Sequence, residues 1–271
     1  MSMHESTVYP FGNPRSYTVQ LLTAGKVQIE LLNAYQRSSL MQKLARQKHE
    51  DDPSLDYQYL LKIHSGQLLG GPGQFYVQYS RTIELTHDIE DKLNTIEFVA
   101  QELSAELAQV INIVVAGGEN INIGRLHWRL LVDAEYLLAN CRAILDLFAR
   151  LTDSLNLQIR GFGMPERFAG QIKYARKPRR NSRDDTEYLD HISNLSWFDT
   201  LKEYRDELLH KTSLKITIEP VPDRRFPIYL KTKRGTVISF DTIFNIVNGV
   251  RDFASFYVAH SKKDLEDYVA S

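Results

Sequence analysis

One short segment of the 271-residue chain combines residue types that can act together on a phosphodiester. Arg205 is followed directly by Asp206 and, after four intervening residues, by His210. An arginine supplies a permanent positive charge and a planar set of donors for phosphate oxygens. A histidine can accept or donate a proton near neutral pH, for example at a ribose 2′-OH that then attacks the adjacent phosphorus. These residue types suffice to cleave RNA without a metal ion, because the arginine can stabilise the charge that develops on the non-bridging oxygens.

The spacing of these residues constrains how they can meet. On an ideal helix Arg205 and His210 are about 140° apart, so one chain does not readily direct both at a single phosphate. Asp206 and His210 share a helix face, and the carboxylate could orient the imidazole and favour its charged form. We therefore expect either that the helix unwinds near Leu209 or that Arg205 meets His210 of the partner subunit. The second possibility predicts a composite site in the groove of a homodimer.

A second feature is a cluster of positive charge upstream of the motif, the basic segment (residues 173–183). Its six cations are Lys173, Arg176, Lys177, Arg179, Arg180 and Arg183. Because Gly161, Gly163, Pro165 and Pro178 interrupt regular structure around it, we expect a mobile, exposed loop from residue 161 to residue 183. This loop could follow an RNA backbone by binding its phosphates, or it could be an ordinary solvated charged loop.

Helical elements must position these residues. Apolar residues at a period of 3.6 predict two long amphipathic helices, over about 85–114 and 126–151, that pack as an antiparallel pair. On the second helix, Arg142 and Asp146 are spaced to pair along the surface. Cys141 lies on its apolar stripe, where we expect a buried, inert thiol.

The motif lies on a third helix, expected from about Asp199. After His210 the apolar period changes to two around Ile216 and Ile218, which predicts strands. The sequence at 233–235, Lys-Arg-Gly, is typical of a hairpin turn, and a closing helix is predicted over about 241–260. The predicted fold class is therefore mainly α: an antiparallel helical bundle with a small β-hairpin or sheet excursion between its last two main helices.

The chain divides into two parts on this pattern. Residues 1–80 are expected to form a partly helical N-terminal extension that packs on the bundle, with a helix over about 26–49. Alternating Phe75, Val77 and Tyr79 predict a short strand over 74–80. Residues 81–271 are expected to form the bundle domain.

Composition excludes several other classes of protein. The formal net charge is −1, so any contact with nucleic acid must be a local patch. A single cysteine excludes a disulfide framework or a Cys-rich zinc site within one chain, and no two histidines are spaced three or four apart. Phosphate-binding glycine motifs are missing, and we predict no cofactor. No apolar run approaches the length of a membrane span and nothing resembles a signal peptide, so we expect a cytoplasmic protein that does not contact membranes.

The motif and its surroundings resemble the HEPN superfamily (higher eukaryotes and prokaryotes nucleotide-binding domains). That family's signature is Arg, four to six residues, then His near a helix end, with Asn, Asp or His often following the arginine; Arg205, Asp206 and His210 match these places. The order of helices and the β excursion are also similar, over about residues 85–260. Arg81 and His87 have a related spacing, but Thr82 follows the arginine in place of Asn, Asp or His, and Arg81 is expected to precede the first long helix, where the family does not place its motif.

The resemblance implies a HEPN-like bundle that dimerises and, in active members, a metal-independent endoribonuclease that leaves a 2′,3′-cyclic phosphate. Such members act in toxin–antitoxin or antiviral defence systems, which would add an antitoxin or other protein to the partners. Other members are catalytically inactive and bind RNA, a nucleotide or a protein. A helical scaffold whose Arg205–His210 motif is only an ion-paired surface group is a third interpretation.

Overall fold

The computed structural model describes residues 46, 49–50, 52–54, 74–116, 124–177, 185–210, 215–218, 228–231, 235 and 237–270. Within this part of the chain there are six helices and one small sheet, in the order α1 (Gln74–Val115), α2 (Gly124–Ile159), α3 (Phe168–Ala175), α4 (Thr186–Ser193), α5 (Ser196–His210), β1 (Lys215–Ile218), β2 (Ile228–Lys231), β3 (Val237–Ser239) and α6 (Phe240–Ala270). The predicted fold class, mainly α with a small sheet before the last helix, is confirmed.

The two longest helices form the antiparallel pair that the apolar pattern predicts. Lys92 of α1 donates a hydrogen bond to Asn140 of α2 at 2.9 Å, whereas Glu106, further along α1, lies 2.6 Å from Arg129 near the start of α2. The chain therefore runs in opposite directions in the two helices. Their facing apolar stripes are almost fully buried, as is the predicted thiol of Cys141. Burial raises the pKa of this thiol to about 12, which keeps it protonated and unreactive.

Aromatic side chains join the remaining helices to this pair. Phe148 of α2 lies 5.3 Å from Phe253 and 4.8 Å from Tyr257 of α6, measured between ring centroids. Phe168 at the start of α3 lies 5.2 Å from Phe253 and 5.3 Å from Phe198 of α5. Most of these rings meet edge to face, an arrangement that adds electrostatic attraction to the burial of their area. The core therefore continues from the helix pair through α3 to the motif helix and the closing helix.

A buried glutamine holds α3 and α4 against α2. Gln171 of α3 is fully buried, and its amide nitrogen donates to the carbonyl oxygens of Ala149 and Pro165, both at 2.8 Å. Its amide oxygen accepts a hydrogen bond from the Tyr188 hydroxyl of α4 at 2.6 Å. Each of these bonds compensates for removing a polar group from water, so a single side chain links three segments.

The sheet has the order β1-β2-β3, and both strand pairs are antiparallel. Leu230 in the central strand is opposite Ile216 on one side and Ile238 on the other, which places the apolar residues on one face. Gly235 between β2 and β3 has a φ of 88°, a conformation that glycine adopts without strain. The predicted strands after His210 and the turn at 233–235 are consistent with this hairpin, although residues 232–234 lie outside the described residues.

Two expectations for local structure are wrong. Residues 74–80 belong to α1 and not to a strand, because adding turns to a long helix satisfies backbone groups at once whereas a strand needs a partner. Residues 168–175 form α3 instead of part of a loop. Phe168, Ile172 and Ala175 lie on one helical face and are buried, which outweighs the effect of the flanking breakers. The helix predicted over 26–49 lies outside the described residues, apart from residues 46 and 49.

The described helices include none that is both long and apolar enough to cross a membrane.

A close approach between α5 and α6 fixes the position of the motif helix. A Cβ atom at Gly249 of α6 would lie 2.7 Å from ring atoms of the half-buried Trp197 of α5. Van der Waals contact needs more room than this, so only glycine permits the observed packing. The indole ring of Trp197 therefore packs directly against the backbone of α6 at Gly249.

We expect Gly249→Ala to lower the free energy of unfolding by about 1–2 kcal/mol, because overpacking outweighs the gain in helix propensity. Denaturant unfolding measures the change, and the emission of Trp197 in a Trp128→Phe background reports whether its ring has moved. Ser255→Ala, an exposed position on the same helix, is the control and should be close to neutral. Equal or greater stability of Gly249→Ala would contradict the proposed close packing.

Candidate functional site

Helix α5 presents Arg205 and Asp206 near its C-terminal end. Its inner face is anchored by Phe198 and Leu201, which are buried in the core, and Asp199 in its first turn is favourable next to the helix dipole. Arg205 donates a hydrogen bond from Nη1 to Asp206 Oδ1 at 3.1 Å, and the two side chains are 40% and 45% exposed. A solvent-exposed pair of this kind contributes little to stability, so Arg205 stays accessible to an external anion.

The third residue of the motif is only partly placed. His210 is the last residue of α5, as the sequence predicts, but its side chain lies outside the described residues. The helix is continuous from Ser196 to His210, which leaves the expected angle of about 140° between the directions of Arg205 and His210. Unwinding near Leu209 is therefore not observed in the backbone.

A second arginine, which sequence analysis assigned to the surface, packs between α2 and α5. Arg142 of α2 places its Cζ atom 4.9 Å from the centroid of the Phe198 ring, and its Nη2 lies 3.2 Å from Asp146 Oδ1. The predicted pairing with Asp146 is thus present, but Arg142 is only 18% exposed and is not a surface residue. The identical spacing on an exposed helix face would give the same sequence pattern, so only the packing of α5 distinguishes the two cases.

The charges around Arg142 come from α5 as well as from α2. Burial lowers the pKa of the Arg142 guanidinium, and the positive charges of Arg205 and Arg167 act in the same direction. The carboxylates of Asp146 and Asp206 oppose this effect. Nη1 of Arg142 is buried and has no hydrogen-bond partner among the described residues. The motif residues Arg205 and Asp206 are therefore electrostatic neighbours of a buried arginine with an unused donor.

The basic segment begins beside the motif helix. Lys173 is the basic residue in the last turn of α3, where a positive charge is favourable. Arg176 lies 3.3 Å from Asp199 at the start of α5 and donates to the backbone oxygen of Ser193 at 3.4 Å. Lys177 lies 5.4 Å from the Tyr174 ring centroid. Three of the six cations are thus at the end of α3, whereas Arg179, Arg180 and Arg183 lie outside the described residues.

Asp199 and Arg205 are six positions apart on α5, which corresponds to about 9 Å along the helix axis. The structure therefore brings the start of the basic segment to the N-terminal half of the motif helix. It does not show a contact between the cations of that segment and Arg205 or Asp206.

Comparison of the chain with protein-family models, curated proteins and solved structures gives no match. The resemblance to the HEPN superfamily is therefore one of the motif and of the order of helices.

A second cluster of titratable groups, which the sequence analysis did not find, joins the ends of α2 and α6 to the start of α4. His260 Nε2 lies 2.6 Å from Asp185 Oδ2, and Arg160 forms two bonds to Asp264 at 2.8 and 2.6 Å. Arg160 also lies 3.5 Å from Asp185. Asp185 additionally accepts a hydrogen bond from the backbone nitrogen of Tyr188 and so caps α4.

This cluster contains the residue types of a metal site. Potential ligand atoms of Asp185, His260 and Asp264 lie within 4.8 Å of one another. However, the Arg160 guanidinium already supplies a positive charge to both carboxylates at hydrogen-bond or ion-pair distance. A metal ion would have to displace it, so we interpret the cluster as an ion network that fastens the helix ends together.

The pKa values of Asp185 and His260 shift in opposite directions in this network. Burial alone would raise the pKa of Asp185, but hydrogen bonds from His260 and the Tyr188 backbone, together with the charges of His260 and Arg160, lower it. Burial alone would lower the pKa of His260, but Asp185, Asp264 and Glu187 raise it. The Asp185 contribution is present above its ordinary pKa of 3.8 and is lost as pH falls through the lowered value. The His260 contribution is present below its ordinary pKa of 6.5 and is lost as pH rises through the raised value.

We expect Asp185→Asn to lower the free energy of unfolding by about 3 kcal/mol near pH 6, where both charges of the wild-type pair are present. Asparagine keeps the cap of α4, so the change isolates the ion pairs with His260 and Arg160. Denaturant unfolding at a series of pH values measures it. The control Asp252→Asn, on the exposed side of α6, should change stability by less than about 0.5 kcal/mol. An equally small effect of Asp185→Asn would show that the network does not stabilise the fold.

A third group of charges lies between α1 and α2. The Glu106 side chain is only 2% exposed and its Oε1 lies 2.6 Å from Arg129 Nε, while Glu102 on the same face reaches Arg129 at 3.7 Å. Burial raises the pKa of Glu106 to about 7, with a further increase from Asp133, although the Arg129 charge acts against this. Glu106 therefore holds a proton at mildly acidic pH.

Because the pKa of Glu106 is raised in the folded state, its contribution to stability is present below its ordinary pKa of 4.5 and is lost as pH rises through about 7. Glu106→Gln should therefore raise the free energy of unfolding by about 1–2 kcal/mol at pH 8 and change it little at pH 5. Thermal or denaturant unfolding at both pH values tests this expectation. Glu102→Gln, a half-exposed neighbour, should lack the dependence on pH. The same difference between Glu106→Gln and wild type at both pH values would refute the assignment.

Proposed function

We propose that this protein is a HEPN-like endoribonuclease that cleaves RNA without a metal ion. The observation that carries the proposal is the ion pair of Arg205 and Asp206, which is partly exposed near the C-terminal end of α5, where both charges act on the pKa of the half-buried Arg142 of α2. His210 follows at the end of the same helix. A phosphodiester has a single negative charge, which suits a site in which an arginine is the accessible cation.

In this mechanism His210 is the general base and acid. It removes the proton from a ribose 2′-OH, and the 2′-oxygen forms a bond to the adjacent phosphorus. Arg205 binds the non-bridging oxygens and stabilises the negative charge that develops on them. The bond from phosphorus to the 5′-oxygen breaks, and that oxygen receives a proton, so the products are a 2′,3′-cyclic phosphate and a 5′-OH. Asp206 orients His210, since these residues are four positions apart on α5.

The proposal includes a homodimer. An unbroken helix separates the directions of Arg205 and His210 by about 140°, so the complete site combines Arg205 of one protomer with His210 of the partner subunit. The exposed Lys173 and Lys177, with Arg179, Arg180 and Arg183, would bind RNA phosphates along the approach to this site. We place this activity in the cytoplasm and expect an antitoxin or other partner protein to restrain it.

Incubation of the purified protein with a mixed single-stranded RNA pool in excess EDTA tests the activity. We expect cleavage that leaves 2′,3′-cyclic phosphate ends and that falls by at least about 100-fold in Arg205→Ala and in His210→Ala. Mixing these two inactive variants should restore part of the activity if each dimer site combines residues from both protomers. Arg150→Ala, which removes an exposed arginine of α2, is the matched control and should cleave like wild type. Cleavage that requires a divalent ion, or that survives both motif substitutions, would refute the proposal.

The ion pair of Arg205 with Asp206 at 3.1 Å favours a second candidate, a module that binds RNA and does not cleave it. A carboxylate that already neutralises the arginine weakens its effect on a transition state, yet leaves it able to exchange partners for a phosphate. This candidate predicts salt-sensitive RNA binding without cleavage, weakened when Arg179 and Arg180 are both replaced by glutamine.

A further inference from the structure

We propose that Arg142 and Arg205 together form a phosphate-binding pair, in which the Asp206 carboxylate occupies the position that a phosphodiester takes when RNA binds. The inference rests on the proposed function to the extent that both use Arg205 on α5. It adds Arg142 of α2, which is not part of the motif. It also requires the Asp206 carboxylate to move away from Arg205 when a phosphate binds.

The guanidinium of Arg142 is held in a fixed orientation. Its guanidinium lies over the Phe198 ring at 4.9 Å, and Asp146 holds Nη2 at 3.2 Å. Asp146 is itself held, because its Oδ1 accepts a hydrogen bond from the backbone nitrogen of Phe168 at 2.9 Å. A planar cation restrained on one face and at one nitrogen loses little conformational entropy when it binds a ligand.

Arg142 also has a hydrogen-bond donor that is not used. Nη1 of Arg142 is buried without a hydrogen-bond partner among the described residues. A buried donor on a charged group that lacks an acceptor is costly, and the ion pair with Asp146 engages Nη2 and leaves Nη1 unsatisfied. An incoming acceptor would remove this cost, and an anion would do so most effectively.

Arg205 is related to Arg142 through its position on α5. Phe198 and Arg205 are seven positions apart on α5 and thus lie on nearly the same face. The ring that supports Arg142 and the motif arginine therefore face the same side of the helix. Seven positions correspond to about 10.5 Å along the helix axis, and the charges of both Arg205 and Asp206 still act on the pKa of Arg142, whose guanidinium lies over Phe198.

The charged groups around Arg142 do not cancel one another. The groups concerned are the cations Arg142, Arg167 and Arg205 and the carboxylates of Asp146 and Asp206, so the cluster has one excess positive charge. One phosphodiester neutralises this excess and offers two non-bridging oxygens, one for each of two guanidinium groups. Asp206 is now the partner of Arg205 at 3.1 Å, so a phosphate that replaces it releases the carboxylate to orient His210.

Binding of a single-stranded 2′-deoxy oligonucleotide tests the inference without cleavage, because that probe has no 2′-OH. Fluorescence anisotropy of the labelled oligonucleotide, measured over a series of salt concentrations, would compare wild type with Arg142→Gln, Arg205→Gln and Asp206→Asn. We expect each arginine substitution to weaken binding by at least about tenfold and to reduce the salt slope by about 0.7. Asp206→Asn should tighten binding, because the competing carboxylate is removed. Arg150→Gln is the matched control on α2 and should bind like wild type.

Arg142→Lys guards against a variant that fails to fold. It keeps the charge beside Asp146 and Phe198 but loses the planar fork, so we expect a normal thermal melt and oligonucleotide binding weaker than wild type. A folded Arg142→Lys with wild-type affinity and salt slope would overturn the inference, even if RNA cleavage by the Arg205–His210 motif is demonstrated. Weaker binding by both Arg142 variants in a protein that never cleaves RNA would support the inference while the nuclease proposal fails.

Competition with inorganic phosphate shows whether the site binds a phosphodiester or a free phosphate. In the wild type, millimolar phosphate should compete with the oligonucleotide, and this competition should weaken in Arg142→Gln. If Arg142→Gln loses affinity for inorganic phosphate but retains wild-type affinity for the oligonucleotide, the site takes a free phosphate and its assignment to a phosphodiester is overturned. Absence of binding of either probe to the wild type would overturn the inference altogether.

Discussion

One cluster of aromatic rings in the core joins four helices, and the arrangement of α2, α3, α5 and α6 depends on it. Its members are Phe148, Phe168, Phe198 and Phe253. Each ring comes from a different helix, and the ring centroids lie 5.2 to 5.3 Å apart along the chain of contacts. Helix α5 is short and has a polar sequence, so tertiary packing must supply most of its stability. Phe198 both anchors α5 in the core and supports the Arg142 guanidinium, and the hydrophobic core and the candidate site therefore share a residue.

Charged groups that are withdrawn from solvent are compensated in different ways at three places in the fold. His260 and Asp185 satisfy each other and are joined to Arg160 and Asp264 by further ion pairs. Glu106 sits beside a second carboxyl group and holds a proton near neutral pH. Arg142 keeps its charge but retains one donor without an acceptor. The Glu106 oxygens and His260 Nδ1 are also buried without a hydrogen bond among the described residues, but an opposite charge of the chain lies near each group, Arg129 at 2.6 Å and Glu187 at 3.7 Å. Only for Arg142 do we propose an acceptor from outside the chain.

Local patterns in the sequence were sufficient for the helix pair, the motif helix, the strands after His210 and the buried Cys141, because each depends on the periodicity of its own segment. They failed for α3, where glycines and prolines flank a short helix that is stabilised by burial of Phe168 and Ile172. The surroundings of Arg205 and Asp206 depend on how α5 packs against α2, so the sequence predicted the motif but not the charges around it.

Two other features had no local signal. The spacing of Arg142 and Asp146 is identical to that of an exposed ion pair, and only the packing of α5 over Arg142 shows that it is buried. Asp185 and His260 are 75 positions apart, a separation at which no periodicity connects two residues. Charges that meet across helices were accordingly the least predictable part of the molecule.

The hydrogen bonds of Gln171 have a consequence for how the fold loosens. Since this side chain bonds the main chain of α2 and of the segment before α3, and also the hydroxyl of Tyr188 in α4, neither short helix can detach without exposing buried polar groups of the other. We therefore expect α3 and α4 to open together as one cooperative unit, with amide hydrogens in both exchanging with solvent through a shared event rather than by independent fraying.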